Sequence, residues 1–72
     1  MLDRDQWRGI LSQRELEVAL LVAEGSSNKE VARELGVCEG TVKLHVSSIF
    51  RKVGATSRYS LIRMAVSGGI AA

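Results

Sequence analysis

The feature that most constrains the fold is a four-residue pattern that occurs twice, at residues 12–15 and 27–30. In each copy a serine is followed three residues later by a glutamate, and these two side chains together satisfy amide donors at the start of a helix. Apolar residues follow each copy at helical spacing, and Gly25 and Gly36 then stand where helices commonly end. The sequence therefore predicts two helices with chemically marked ends.

Two further helices are predicted downstream. Residues 39–53 carry one apolar stripe of helical period, ended by Gly54 and formed by Val42, Val46, Ile49, Phe50 and Val53. Ser57 is a plausible N-cap for a last helix, which Gly68 and Gly69 are expected to stop. We expect an all-α, compact four-helix domain containing a helix-turn-helix, with helices at about 12–24, 28–35, 39–53 and 57–67. Residues 1–10 are then a lead-in segment, residues 11–67 the domain, and residues 68–72 a frayed tail.

Length and cysteine content exclude several classes of protein. A chain of 72 residues buries a modest core, and Cys38, its single cysteine, permits no internal disulfide. Cys38 and His45 do not suffice for a tetrahedral metal site, so we expect no metal and no other cofactor. The lone thiol and the absence of a membrane span or signal peptide predict a cytoplasmic protein without a membrane partner. No catalytic set or deep pocket is expected, so the chain is predicted to be neither an enzyme nor a binder of small molecules.

Charge is distributed unevenly along the chain. Residues 1–39 hold five basic and eight acidic side chains, whereas residues 40–72 hold five basic side chains and no acid. A segment cleared of carboxylates is a candidate surface for a polyanion. A solvated basic surface without a ligand is the alternative that charge alone leaves open.

The third predicted helix presents a polar face opposite its apolar stripe. At helical spacing, the outward positions are Gly40, Leu44, Ser47, Ser48 and Arg51, flanked by Thr41 and Lys43. Small residues let a helix lie deep in a groove, and hydroxyl groups such as those of Thr41 and Ser48 bind phosphates. Lysine reaches guanine or phosphate, and leucine contacts a thymine methyl group. This face therefore suits the major groove of DNA.

The start of the second predicted helix is a candidate phosphate clamp. Asn28 and Lys29 combine a side-chain amide and a positive charge with the free backbone amides of a helix N-terminus. A capped helix start with a solvated lysine is the structural alternative. A short helix, a tight turn at Gly36 and a longer helix with a bare outer face follow the helix-turn-helix plan.

Ordered matches at fixed spacing make the chain similar to a known family. The matching segments are 11–15, 23–32, 35–37, 39–46, 52–54 and 57–58, which read LSQRE, AEGSSNKEVA, LGV, EGTVKLHV, KVG and SR. Over about residues 11–66 the chain resembles the LuxR/NarL/FixJ-type DNA-binding domain. The resemblance implies a four-helix domain whose third helix lies in the major groove.

The resemblance also implies roles for individual residues. The base-contacting positions of the family correspond to Lys43, Leu44 and Ser47. Its phosphate-binding positions correspond to Asn28, Lys29, Thr41, Ser48, Arg51 and Arg58. The last helix of the family makes dimer contacts, which correspond here to Leu61 and Met64. The implied partners are double-stranded DNA, a second copy of the chain on DNA, and RNA polymerase.

The chain departs from the pattern of the family in ways that matter for function. Cys38 replaces the usual serine or threonine cap, which weakens that cap by about 1 kcal/mol. Gly40 and Ser47 are short, which moves base discrimination towards Lys43, Leu44 and DNA shape. Leu16 and Leu20 give the first predicted helix a second apolar side. The lead-in segment, through Leu2, Trp7 or Ile10, is expected to cover it; another domain, a second subunit or an enlarged single core are the alternatives.

We therefore expect sequence-specific DNA binding in bacterial transcription regulation, as a dimer on an inverted repeat. The alternative is a helical module that binds protein, through its last helix and the Leu16 and Leu20 side. Salt separates the two, because phosphate contacts weaken steeply with salt and apolar contacts do not.

Overall fold

A computed structural model describes the backbone of residues 4–70 and the side chains of residues 6–65. Within that range the chain forms five helices and no strand, so the all-α prediction is confirmed. The four predicted helices are present, and a fifth forms in the lead-in segment. The helices are α1 (Arg4–Ile10), α2 (Gln13–Ala23), α3 (Asn28–Leu35), α4 (Glu39–Val53) and α5 (Arg58–Ile70). The bounds of α3 and α4 are those predicted, and α2 is one residue shorter at each end. In residues 4–70, no helix combines the length and the apolar character that crossing a membrane requires.

Both predicted capping boxes are present at the starts of α2 and α3. The Glu15 N–H donates to Ser12 Oγ over 3.1 Å, and the Ser12 N–H donates to Glu15 Oε1 over 2.9 Å. Ser27 and Glu30 repeat the exchange at 3.1 and 2.8 Å. The bond from the Ser27 N–H lowers the pKa of the Glu30 carboxyl. The entries to both helices are therefore fixed by contacts between residues three apart in the chain.

The turn between α3 and α4 depends on Gly36, whose φ is 70°. In this left-handed conformation the Val37 N–H turns back to donate to the Ala32 carbonyl over 3.0 Å. A side chain at position 36 would meet open space, so the requirement for glycine is one of backbone conformation. The turn brings α4 across α3, with which it packs.

The last helix begins one residue after its predicted start and ends later than predicted. Ser57 Oγ accepts from the Ser60 N–H over 3.1 Å, which caps α5. The helix then runs through Gly68 and Gly69 to Ile70, beyond the expected end at residue 67. Glycine weakens a helix by about 1 kcal/mol relative to alanine, but its backbone can adopt the helical conformation. Of the predicted tail, residues 71 and 72 lie outside the described residues.

The core is a single cluster to which every helix contributes. Its members from the helices are Trp7, Val18, Ala19, Val22, Val31, Ala32, Val42, Ile49, Val53, Leu61, Met64 and Ala65. α2 packs against both α4 and α5, and α1 packs mainly against α5. Because α2 is central and touches α4 directly, the orientation of α4 is set by the core.

The lead-in segment is a helix, α1, and its contribution to the core is Trp7, which is fully buried. Ile10 is 39 % exposed, and Leu2 lies outside the described residues. Leu16 packs against the same core cluster, while Leu20 is half-buried. For Leu16 the enlarged single core is therefore the alternative that the structure supports.

Candidate nucleic-acid interface

The surface of α4 that faces away from the core carries the polar side chains of interest. Val42, Ile49 and Val53 are buried against the other helices. The exposed residues on the other side are Gly40, Lys43, Leu44, Ser47 and Arg51. Their spacing of three and four residues places them along one side of the helix. The predicted outward orientation is confirmed for Gly40, Leu44, Ser47 and Arg51, and Lys43, predicted to flank this face, is exposed as well. Ser48, also predicted to point outward, is half-buried.

Leu44 is the most exposed large aliphatic side chain on this face, at 74 %. It stands in the first half of α4, between Lys43 and the exposed Ser47. A single exposed leucine is common on protein surfaces. Its position in the middle of a polar helix face makes it a candidate apolar contact for a ligand.

Ser48 lies at the edge of this face, and its hydroxyl already has a partner. Ser48 Oγ donates to Glu15 Oε2 over 2.6 Å, and the side chain is half-buried. Lys52, one turn further along α4, donates from Nζ to Glu15 Oε1 over 2.8 Å. The Glu15 carboxylate therefore binds two side chains of α4 as well as capping its own helix.

Glu15 stays ionised because its hydrogen-bond donors outweigh the effect of its burial. Only 7 % of the residue is exposed. Donation by Lys52 is the largest influence, followed by Ser48 and the Ser12 N–H, and together they lower the pKa of Glu15 to about 2. A carboxylate fixed in this way ties the first turn of α2 to the middle and end of α4.

The start of α4 has no side-chain cap of its own. Cys38 has the extended backbone of an N-cap residue, but its side chain makes no capping hydrogen bond. Its Sγ lies 3.2 Å from Thr41 Oγ1, and this hydroxyl lowers the pKa of the Cys38 thiol. Thr41 and His45 are both half-buried on α4. Thr41 is therefore partly accessible in the first turn of α4, and its hydroxyl lies next to the Cys38 thiol.

The candidate phosphate clamp at the start of α3 includes a residue from α5. Asn28 is half-buried, Lys29 is exposed, and Arg58 reaches Asn28 from the first position of α5. Arg58 Nη1 donates to Asn28 Oδ1 over 2.8 Å, and Nη2 donates to the Ser26 carbonyl. The structure thus brings Arg58 and Asn28 together, although thirty residues separate them in the chain.

The side chains predicted to contact a second copy do not lie on the surface of the chain. Leu61 is fully buried and Met64 is 2 % exposed, both within the core of the chain itself. Both side chains are therefore used by the core of the chain itself, and the contact with a second copy expected of them stays a prediction. The exposed residues of the described part of α5 are instead Tyr59 and Arg63, with Arg63 Cζ 6.0 Å from the centre of the Tyr59 ring.

Sequence reasoning missed the part that Lys52 plays and gave Glu15 only a capping role. One signal was present: Glu15 is a charged residue on a helix whose other inward positions are apolar, which indicates a paired carboxylate. Its partners lie 33 and 37 residues away, so their identity depends on the packing of α2 against α4.

Comparison with known proteins gives a consistent match. Residues 9–65 match the family model described as bacterial regulatory proteins, luxR family. The chain is 48 % identical over 62 residues to nodulation protein W of Bradyrhizobium diazoefficiens, covering 86 % of this chain and 27 % of that protein. It is 42 % identical over 62 residues to the transcriptional activator protein VanR of Vibrio anguillarum, covering 86 % and 26 %. It is 44 % identical over 57 residues to the oxygen regulatory protein NreC of Staphylococcus aureus, covering 79 % and 26 %.

The chain spans about a quarter of the length of these relatives. The matched part contains α2, α3 and α4 complete and most of α5. The similarity therefore concerns the helical domain with its exposed α4 face.

Proposed function

Because the chain belongs to the luxR family of bacterial regulatory proteins, we propose that it binds operator DNA with α4 in the major groove. The family is one of DNA-binding domains in transcription regulation and not a family of enzymes. The observation that carries the proposal is the outer face of α4, which is exposed, free of acid beyond Glu39, and held in place by the core. In this placement no catalytic step and no cofactor is required.

We assign base contacts to Lys43, Leu44 and Ser47. Lys43 supplies three donors for the acceptors of guanine, and Leu44 supplies an apolar surface for a thymine methyl group. Ser47 is short, so it permits close approach and adds one hydroxyl. With only one long polar group among the three, we expect part of the specificity to come from the shape of the DNA.

We assign phosphate contacts to Asn28, Lys29, Thr41 and Arg51. Lys29 and Arg51 are exposed, and within the described residues neither side chain makes a hydrogen bond or an ion pair. Ser48 is left out, because its one hydroxyl hydrogen already bonds Glu15 and a phosphate offers only acceptors. Arg58 is treated separately below.

We propose that the domain binds as a dimer to an inverted repeat, with the two α4 helices about 34 Å apart in successive major grooves. Tyr59 and Arg63 on α5 are the exposed side chains offered for the contact between copies. For the whole protein we propose transcription regulation in the cytoplasm, with RNA polymerase as a partner.

Selection from a random duplex library, scored by sequencing, tests the proposal. The parent chain should enrich a two-fold symmetric site, and Lys43→Ala should relax or lose it. Arg8→Ala is the matched control, because Arg8 is an exposed basic residue that belongs to α1 and not to the exposed face of α4. The proposal fails if the parent enriches no site at either low or moderate salt.

A further inference from the structure

Arg58 links the start of α5 to the start of α3, two elements that otherwise make few contacts with each other. It is the first residue of α5, is half-buried, and directs its guanidinium at the loop before α3 and at the first residue of α3. One nitrogen donates to Asn28 Oδ1 over 2.8 Å, and the other donates to the Ser26 carbonyl. The two bonds come from the two terminal nitrogens of one planar guanidinium, a geometry that lysine does not reproduce.

The chemistry of the two groups decides which way the Asn28 carboxamide is turned. A guanidinium carries donors and no acceptor, so it can only be satisfied by the oxygen of the carboxamide. The Nδ2 group, with two donors, is consequently turned away from Arg58. The bond to Ser26 also fixes the backbone one residue before the N-cap Ser27. Arg58 thus restrains both the side chain of Asn28 and the loop that leads to it.

We propose that Arg58 is a positioning residue for DNA binding, which acts by holding the Asn28 carboxamide with its two N–H donors presented to a backbone phosphate. The inference rests on the proposed function and deepens it. It differs from the role expected from the sequence, in which Arg58 itself binds phosphate. A donor held in place beforehand loses little conformational freedom when the phosphate arrives, which is how a neutral side chain at this position contributes to affinity.

A double-mutant cycle on the full chain separates positioning from direct contact. Arg58→Lys keeps the positive charge but loses the fork, and Asn28→Ala removes the group that is positioned. Binding to the selected duplex should weaken about tenfold with Arg58→Lys in the parent, and less than about twofold in the Asn28→Ala background. If Arg58 touches phosphate directly, the lysine should retain most of the affinity and any loss should add to that of Asn28→Ala. Either of these results overturns the inference.

Asn28→Asp gives a second test that does not depend on the stability of Arg58 variants. Aspartate keeps the acceptor for Arg58 and suits a helix start, but it replaces the donors with a negative charge. We expect a stably folded variant that binds DNA at least as weakly as Asn28→Ala. Binding equal to that of the parent would overturn the inference.

Nuclear magnetic resonance checks the positioning in the absence of DNA. Asn28 is the only asparagine in the chain, so the side-chain amide pair lost in Asn28→Asp identifies it. This pair should shift and gain mobility in Arg58→Lys while the backbone spectrum of the core is unchanged. An unaffected pair would overturn the inference.

Arg51 provides the matched control for the cycle. It is an exposed arginine on α4 that makes no hydrogen bond or ion pair with another described side chain. Arg51→Lys should retain most of the affinity, and its effect should add to that of Asn28→Ala. If the parent chain itself does not bind any duplex, the proposed function fails, which is distinct from binding by the parent with an additive cycle.

Discussion

At the scale of single residues, the most strongly perturbed ionisable group among the described residues is the Glu15 carboxylate. Its carboxylate accepts from Ser12, Ser48 and Lys52, and each of these donors favours the ionised form. Lys52 is about two-fifths exposed, so water screens part of its attraction, whereas the carboxylate itself is almost wholly buried. Removing the charge of Glu15 therefore weakens both bonds that join α2 to α4, those from Ser48 and Lys52.

This arrangement predicts an acid-dependent loss of stability. The folded pKa of Glu15 is about 2 and its ordinary value is 4.5, so its stabilising contribution is complete above about pH 5. The contribution falls as the pH drops from 4.5 towards 2, with an upper limit of about 3 kcal/mol. Urea unfolding of the parent and of Glu15→Gln between pH 2 and pH 6 measures it. The difference between the two proteins should shrink on acidification; a constant difference would contradict the assignment.

At the scale of helices, the start of α4 is the weakest of the capped ends. Ser12, Ser27 and Ser57 each accept a hydrogen bond from the third residue of their helix. Cys38 occupies the same position with the same extended backbone and makes no such bond. The helix proposed to enter the groove is therefore the one whose first turn is least secured.

Replacing Cys38 by serine should stabilise the domain. In Cys38→Ser the hydroxyl can accept from the Thr41 N–H without a change of backbone, because φ is already −84° and ψ 159°. We expect the free energy of unfolding to rise by about 1 kcal/mol, measured by urea denaturation. Ser27→Ala is the complementary control at α3 and should lose a similar amount. An unchanged stability in Cys38→Ser would show that the cap is not limiting.

Helix starts could be predicted from the sequence because the contacts that define them lie within three residues. The Ser12 and Ser27 boxes needed no knowledge of the rest of the fold. The end of α5 was misjudged, because glycine only weakens a helix and does not forbid one. Local chemistry therefore predicts where helices begin more surely than where they end.

At the scale of the whole molecule, the side chains expected to bind a ligand fall into two groups: those that are free at the surface, and those that contact residues far away in the chain. Lys43, Leu44, Ser47 and Arg51 are free on the outside of α4. Ser48 and Arg58 are engaged by residues 33 and 30 positions away, and Leu61 and Met64 are enclosed by the core. Helical periodicity predicted the first group, because the outward face of α4 follows from its inward face. The others depend on how α2, α3 and α5 pack, which no local pattern in the sequence specifies.

The two basic residues assigned to phosphate contacts predict how DNA affinity depends on salt. In the proposed complex, Lys29 and Arg51 would give two cationic phosphate contacts in each chain, hence about four in the proposed dimer. Each neutralised phosphate contributes about −0.9 to the slope of log affinity against log salt, so a slope near −3.6 is expected. Affinity for the selected duplex should then fall about a hundredfold between 50 and 200 mM salt. Fluorescence anisotropy titrations over this range provide the measurement.

Single substitutions test the origin of that slope. Lys29→Ala and Arg51→Ala should each make it shallower by about 0.9 for every chain bound, because each removes one released counterion. Leu44→Ala is the contrasting variant: its side chain is uncharged, so it should reduce discrimination at thymine while leaving the slope unchanged. A parent slope near zero would contradict the proposal that phosphate contacts supply much of the affinity for DNA. A slope that Leu44→Ala alters as much as Arg51→Ala would show that the α4 face does not divide into base and phosphate contacts as proposed.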